Sequence, residues 1–285
     1  MGKVWSINNN FGENKRIKEN YIFILSFILP MVIMFVVFTS LGVGFIGDKT
    51  IVSSDMYTQY VAYFGKFKDI LSGDGSIFYS FNKSIGGNNI GLFAYYLASP
   101  LNLLLILFPK SAIGEFIFII YLIKIGLASL CFSLYISKVY KKKDLFVVIF
   151  SLCYALMSYN ICFQMNIMWM DGMMLLPLVT LGIEEIILKG KYKLYMIVLF
   201  MVVVSNYYIG YMICIFSVVY FFYKSIIYKK ISLPRTFKFF GASFITGGLA
   251  SFLLIPVLIS LSTGKADFNL FSEAITIKQN LSSFL

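Results

Sequence analysis

The sequence predicts an all-α fold: a polytopic bundle of about seven membrane-spanning helices, with a long first outer loop that carries interfacial or re-entrant helices. Three observations predict it. The chain is 59% hydrophobic and 18% aromatic with 13% charged residues and a mean hydropathy of +0.84, far from the values of soluble domains. Its apolar runs are long enough to enter or cross a bilayer and are separated by short polar turns. Its lysines crowd into alternate turns, as the positive-inside rule requires.

Charge and composition also exclude. The formal net charge of +11 is carried by lysine, with Arg16 and Arg235 the only arginines, and the basic clusters fall between apolar runs, so no nucleic-acid partner is implied. There is no histidine, which removes imidazole acid–base chemistry, Ser-His-Asp triads and histidine metal clusters. Cys131, Cys153, Cys162 and Cys214 lie in or beside apolar runs without CxxC spacing and read as packing residues. Acidic metal-ligand spacing is absent, which disfavours a tightly held cation; no metal-ligating residues are singled out and no cofactor is expected, while assistance by a divalent metal stays open.

Taken in order, residues 1–20 are polar and carry Lys3, Lys15, Arg16 and Lys18, a cytoplasmic segment ahead of one transmembrane domain over 21–285. Residues 21–41 form the first span, and with no small-residue cleavage pattern behind it this is an uncleaved signal anchor. Residues 42–112 are the outer loop. Within it Met56, Tyr57, Tyr60, Val61, Phe64, Phe67 and Leu71 recur at spacings of three and four, an amphipathic helix expected in the headgroup plane. The stretch 92–109 is apolar but broken at Pro100, and is read as re-entrant or interfacial. Further apolar runs cover 113–137, 145–158, 173–188, 194–205, 209–223 and 239–261. Basic turns at 137–144, 189–193 and 228–238 alternate with turns at 159–172 and 205–210 that hold no Lys or Arg, which places the N-terminus in the cytoplasm.

Candidate chemistry gathers on the outer side. Asp55 precedes the amphipathic helix and shares a face with Gln59 and Tyr63 at i, i+4, i+8, beside Tyr60. It is either a chemical carboxylate or the N-cap of that helix. Asp171 is the ionisable residue of the turn NIMWMDG, and a carboxylate at membrane depth defaults to a functional role unless it is an ordinary turn Asp before Gly172. Trp169 in the same turn is either an interfacial anchor or a platform for a sugar ring. Lys83, Asn88 and Asn89 lie in FNKSIGGNNIG, which could hold a phosphate or be a plain loop. Asn206, Tyr207 and Tyr208 in SNYYIGY either line a substrate path or belong to an aromatic belt. Lys124 is a mid-span cation that pairs with a carboxylate or lines a cavity.

The stretches SSDMYTQY, GGNNIGLFAYYLASPLNLLLILFP, NIMWMDGMMLLPL and SNYYIGYM follow one another over nearly the whole chain, and in that order they resemble the bacterial YfhO family of multi-span membrane proteins. That family is similar to the C-type glycosyltransferases, which move a sugar from a polyprenyl-phosphate carrier to an acceptor on the outer face of the cell membrane. The resemblance implies an envelope-polymer acceptor such as lipoteichoic acid and gives Asp55 the role of catalytic base. It matches Asp171 to a family Asp of less defined role. Family members are longer, so the chain is expected to be an N-terminal portion, and transfer by this portion alone does not follow from the resemblance. Two other classes compete. A transporter or flippase of a lipid-linked precursor predicts sensitivity at Lys124 and tolerance at Asp55. A non-catalytic envelope scaffold predicts that both aspartates are silent.

Overall fold

Membrane helices must satisfy every backbone group within the protein, so the places where they stop are as informative as the helices themselves. The structure is a computed structural model that describes residues 7–81 and 86–262, with side chains from residue 20 onward. Helix α1 runs Ile7–Ser40, with its apolar length over Asn20–Ser40. A loop follows, then a π turn at Met56–Tyr60 that continues as α2 (Val61–Leu71). A two-residue antiparallel ladder pairs β1 (Tyr79–Ser80) with β2 (Gly87–Asn88). Next comes α3 (Ile90–Leu97), an α turn that opens into a π turn, and the 3-10 segment Pro100–Leu107, bent from it by 87°. The remainder is α4 (Ile113–Tyr140), α5 (Leu145–Ala155), α6 (Ser158–Cys162), α7 (Met170–Lys189), α8 (Lys193–Ser205), α9 (Tyr207–Ile227), α10 (Leu233–Leu249) and α11 (Ser251–Ser262).

Helices α4 and α7 form the centre. Helix α4 packs on α1, α5 and α7, and α7 packs on α8 and α9. Close approach is bought with small residues, as in other membrane bundles. A Cβ on Gly126 would lie 2.8 Å from the Phe27 carbonyl oxygen of α1, and one on Gly182 would lie 2.6 Å from the Tyr195 Cα of α8. Gly190, at φ +69°, ends α7 in the left-handed conformation that glycine adopts without strain.

The two ends differ. Lys138, Lys189 and Lys224 lie in the last turns of α4, α7 and α9, and a Glu184 cluster joins those turns at a lysine-rich end. The opposite end carries residues 42–81 and 86–112 and is here called the loop end. Among the described residues, three helices are long and apolar enough to cross a membrane, or five if each bent pair is one span, so the chain is an all-α, multi-pass membrane protein. The bent pairs are the 90–107 unit, where the sequence expected a re-entrant segment, and α10 with α11. The run at 239–261, counted as one span, turns by 70° after Leu249. Of the other expected spans, α5 with 11 residues and α8 with 13 are about 16 and 20 Å long, against about 30 Å of hydrocarbon.

The amphipathic helix is present, with a difference. Met56, Tyr60, Phe64 and Phe67 are buried in one cluster with α4 and Leu105, so the apolar face meets protein where lipid was expected. Tyr57, counted on that face, is 74% exposed. The π turn is the reason: its wider turn rotates position 57 away from the face that 56 and 60 share.

Candidate functional site

Short helices leave backbone carbonyls unpaired, and buried asparagines take them up. Asn160 Nδ2 donates to the Ala155 carbonyl at the end of α5 at 2.9 Å. Asn102 Nδ2 donates to the Leu97 carbonyl at the end of α3 at 3.1 Å. Asn206 stands between α8 and α9: its Oδ1 accepts from Ile209 N–H at 2.8 Å, capping α9, and its Nδ2 donates to the Tyr95 carbonyl at 2.7 Å. These three residues let irregular backbone lie inside the bundle toward the loop end.

Beneath the break at Ser99 is a buried charge node. Lys124, about 16 Å along α4 from Ile113, donates to Asp171 Oδ2 at 2.6 Å and to the Ile167 carbonyl at 2.9 Å. Ser99 Oγ donates to Asp171 Oδ1 at 2.9 Å. Both charged residues are 1% exposed. Asp171 also lies in the first turn of α7, where the helix dipole favours a carboxylate. Of the two readings of Lys124, pairing is what the structure has. The node ties α4, α7, the turn before α7 and the α3 bend together.

Above it runs a chain of aromatic rings. Tyr63 and Tyr60 pack on Tyr96 with centroids at 4.9 and 5.1 Å, and Tyr96 packs on Tyr95 at 4.7 Å. Tyr95 continues to Tyr207 at 5.8 Å and Tyr208 at 6.0 Å. Tyr208 faces Trp169 at 6.3 Å, and Trp169 Nε1 donates to the Tyr95 hydroxyl at 3.0 Å. Tyr60 donates to Asn166 Oδ1 at 3.0 Å, linking the chain to the turn before α7. Four segments far apart in sequence thus meet through Tyr95 and Tyr96.

Asp55 stands exposed at the head of this chain, where the π turn begins. It occupies the N-cap position but its side chain makes no capping hydrogen bond, so the capping alternative fails. Its charge reaches Tyr60, whose phenol is raised well above the ordinary range by burial first, then by Tyr96 and Asp55. Burial also raises Tyr63.

The expected site residues divide accordingly. Tyr60, Tyr63, Trp169, Tyr207 and Tyr208 are in the ring chain, and Asn206 supports it from below. Gln59 is half-buried in the same π turn. Asp171 lies in the buried node. Asn88 and Asn89 serve the start of α3: Asn88 Oδ1 accepts from Ile90 N–H at 2.9 Å, and Asn89 N–H donates to the Phe78 carbonyl at 2.8 Å. Lys83 lies outside the described residues. The sequence reading missed Tyr95, Tyr96, Asn166 and Ser99. A signal existed for the first two, since the YY pair at 95–96 mirrors the YY pair at 207–208 in another polar break.

Among the described residues, no group of three or more Cys, Asp or Glu side chains gathers where it could hold a metal ion. A groove of about 240 Å³ between α8, α9, α10 and α11 is lined by apolar side chains and by Tyr207, which places one end of it against the ring chain. The family model described as bacterial membrane protein YfhO matches residues 26–285. No curated protein matches the chain, and no solved structure does.

Proposed function

We propose that this chain, which belongs to the YfhO family of bacterial membrane proteins, is the site-bearing portion of a membrane glycosyltransferase. It would move a sugar from a polyprenyl-phosphate carrier to an envelope polymer such as lipoteichoic acid. The observation that carries the reading is the exposed, uncapped Asp55 at the head of the ring chain. The loop end then faces outward and the N-terminus lies in the cytoplasm, with α5, α7 and α8 making up a seven-pass bundle of C-type glycosyltransferase character.

The chemistry is one displacement. The acceptor hydroxyl oxygen bonds to the anomeric carbon and gives its proton to the Asp55 carboxylate. The bond from that carbon to the carrier phosphate breaks, its electron pair leaves with the phosphate, and the anomeric configuration inverts. Aromatic faces at Tyr96, Tyr208 and Trp169 offer apolar platforms for sugar rings, and the groove at Tyr207 suits a lipid tail. Lys68 already donates to the Ile106 carbonyl at 2.8 Å, and Lys110 pairs with Asp69, so the stabilisation of the leaving phosphate is assigned to Lys83 or another outer lysine. Asp171, enclosed by Ser99 and Lys124, is assigned to holding the site's floor in place of chemistry. The transporter reading has Lys124 as its best support, and that cation is paired with Asp171.

The test follows radiolabelled sugar from the polyprenyl-phosphate pool to envelope polymer in cells lacking the native gene. Transfer by the chain and its loss in Asp55→Asn, at equal membrane abundance, is the expected result. Transfer that survives Asp55→Asn would overturn the assignment of the base.

A further inference from the structure

A second groove lies at the lysine-rich end, away from Asp55, the ring chain and the Lys124–Asp171 node. It measures about 640 Å³ and runs along the crevice between α4 and α5. Its walls are Phe132 and Ile136 on α4 and Phe146 and Phe150 on α5, and its mouth is marked by Lys142 and Asp144 in the connecting loop. From Tyr140 to Phe132 the α4 wall rises about 12 Å, the length of roughly the first eight to ten carbons of an extended acyl chain.

The walls are fixed. Phe132 stacks on Tyr154 of α5 with centroids at 4.5 Å and planes 2° apart. Tyr135, which backs the groove, donates to Glu184 Oε1 at 3.3 Å, and its hydroxyl is 3.2 Å from that of Tyr220. Glu184 is held in turn by Tyr220, Tyr228 and Lys224. A buried cage on α7 and α9 thus sets the ring that shapes the trough.

We propose that this groove is a binding site for an anionic phospholipid of the leaflet at the lysine end, one acyl chain lying in the trough and the phosphate on Lys142. Charge complementarity commits it to that occupant. Lys141 and Lys142 are exposed, and the amino end of the 11-residue α5 faces the same level, with Asp144 making no side-chain cap there. Lys143 is turned aside over the Phe23 ring at 6.0 Å. Asp144 repels a phosphate placed directly upon it, which sets the phosphate to the Lys142 side. Its Oδ1 has no hydrogen-bond partner among the described residues, which suits a headgroup with hydroxyl donors, as in phosphatidylglycerol.

The experiment purifies the full chain from nanodiscs holding equal phosphatidylglycerol and phosphatidylcholine, then counts retained lipids by native mass spectrometry. Selective retention of phosphatidylglycerol is expected. Lys142→Gln should weaken it about fivefold, the loss of one surface cation. Ile136→Trp, which fills the trough, should abolish it, with thermal unfolding as the folding control. Equal retention of both lipids would overturn the proposal, and so would retention unchanged in Lys142→Gln, an exposed substitution that leaves folding intact. Sugar transfer is not read in any arm, so the outcome is independent of the proposed enzyme activity.

Discussion

Substituting one member of the Lys124–Asp171 pair leaves its partner's charge buried and uncompensated, a loss of about 3–5 kcal/mol. With each residue 1% exposed there is no solvent to repay it. Lys124→Met strips Asp171 Oδ2 of its partner, and Asp171→Leu leaves Lys124 with the Ile167 carbonyl alone. Independent sites would make the double variant cost about 6–10 kcal/mol. Removing both charges together instead leaves the Ile167 carbonyl and Ser99 hydroxyl to find new partners, about 1–3 kcal/mol for each that fails. The double variant should therefore be no less stable than either single one, with a coupling energy of about 3 kcal/mol or more. The assay is reversible unfolding in mixed micelles, followed by tryptophan fluorescence, since Trp169 lies in the turn the pair anchors. Singles that each cost under about 1 kcal/mol, or a double variant that costs their sum, would refute the argument. Sugar transfer retained by the double variant would separate this floor from the chemistry assigned to Asp55.

Other consequences can be measured in the same preparations. Gly182→Ala drives a methyl into the backbone of Tyr195 and should cost about 1–3 kcal/mol by forcing α7 from α8. Tyr60→Phe removes the bond to Asn166 and should cost about 1 kcal/mol in unfolding measurements while leaving the fold intact. The raised phenol of Tyr60 contributes stability that is complete below its unfolded pKa of about 10 and is lost as pH rises from there toward the folded value. Tyr60→Phe should therefore flatten the alkaline decline in a pH series of unfolding. Trp169→Ala takes a ring and the donor to Tyr95 from the proposed sugar platform. It should lower transfer more than Trp169→Phe does, and equal effects would remove Trp169 from the sugar path.

Much of the fold was legible because hydrophobic runs and lysine turns answer directly to the bilayer. The run at 113–137 became α4 and 173–188 became most of α7, since an apolar stretch of that length has few alternatives. Length alone failed where helices stop inside the protein. The run 145–158 reads as a short span, yet α5 ends at Ala155, where Asn160 Nδ2 donates to the terminal carbonyl, and that asparagine lies in what the sequence presents as an exposed turn. The break within 239–261 follows Gly247 and Gly248, a pair that favours a turn, but hydrophobicity runs on unbroken across it, so a reading by apolar length passes over the bend. Tyr57 was misplaced because a π turn carries no compositional mark.

The site divides along the same line. Asp55 and the segments around it could be singled out because each is polar material in a place where water or a ligand must account for it. What each residue does depended on contacts between segments, which spacing within one segment does not encode. Asp171 and Lys124 each looked functional alone, for the sound reason that a lone charge in a membrane is costly. Together they offset that cost, since the Asp171 carboxylate accepts from Lys124 and from Ser99 inside the bundle. Asp55 shows the converse: an Asp before an amphipathic helix has the look of an ordinary cap, and it is the missing capping bond that makes its exposed carboxylate the candidate for the proposed base.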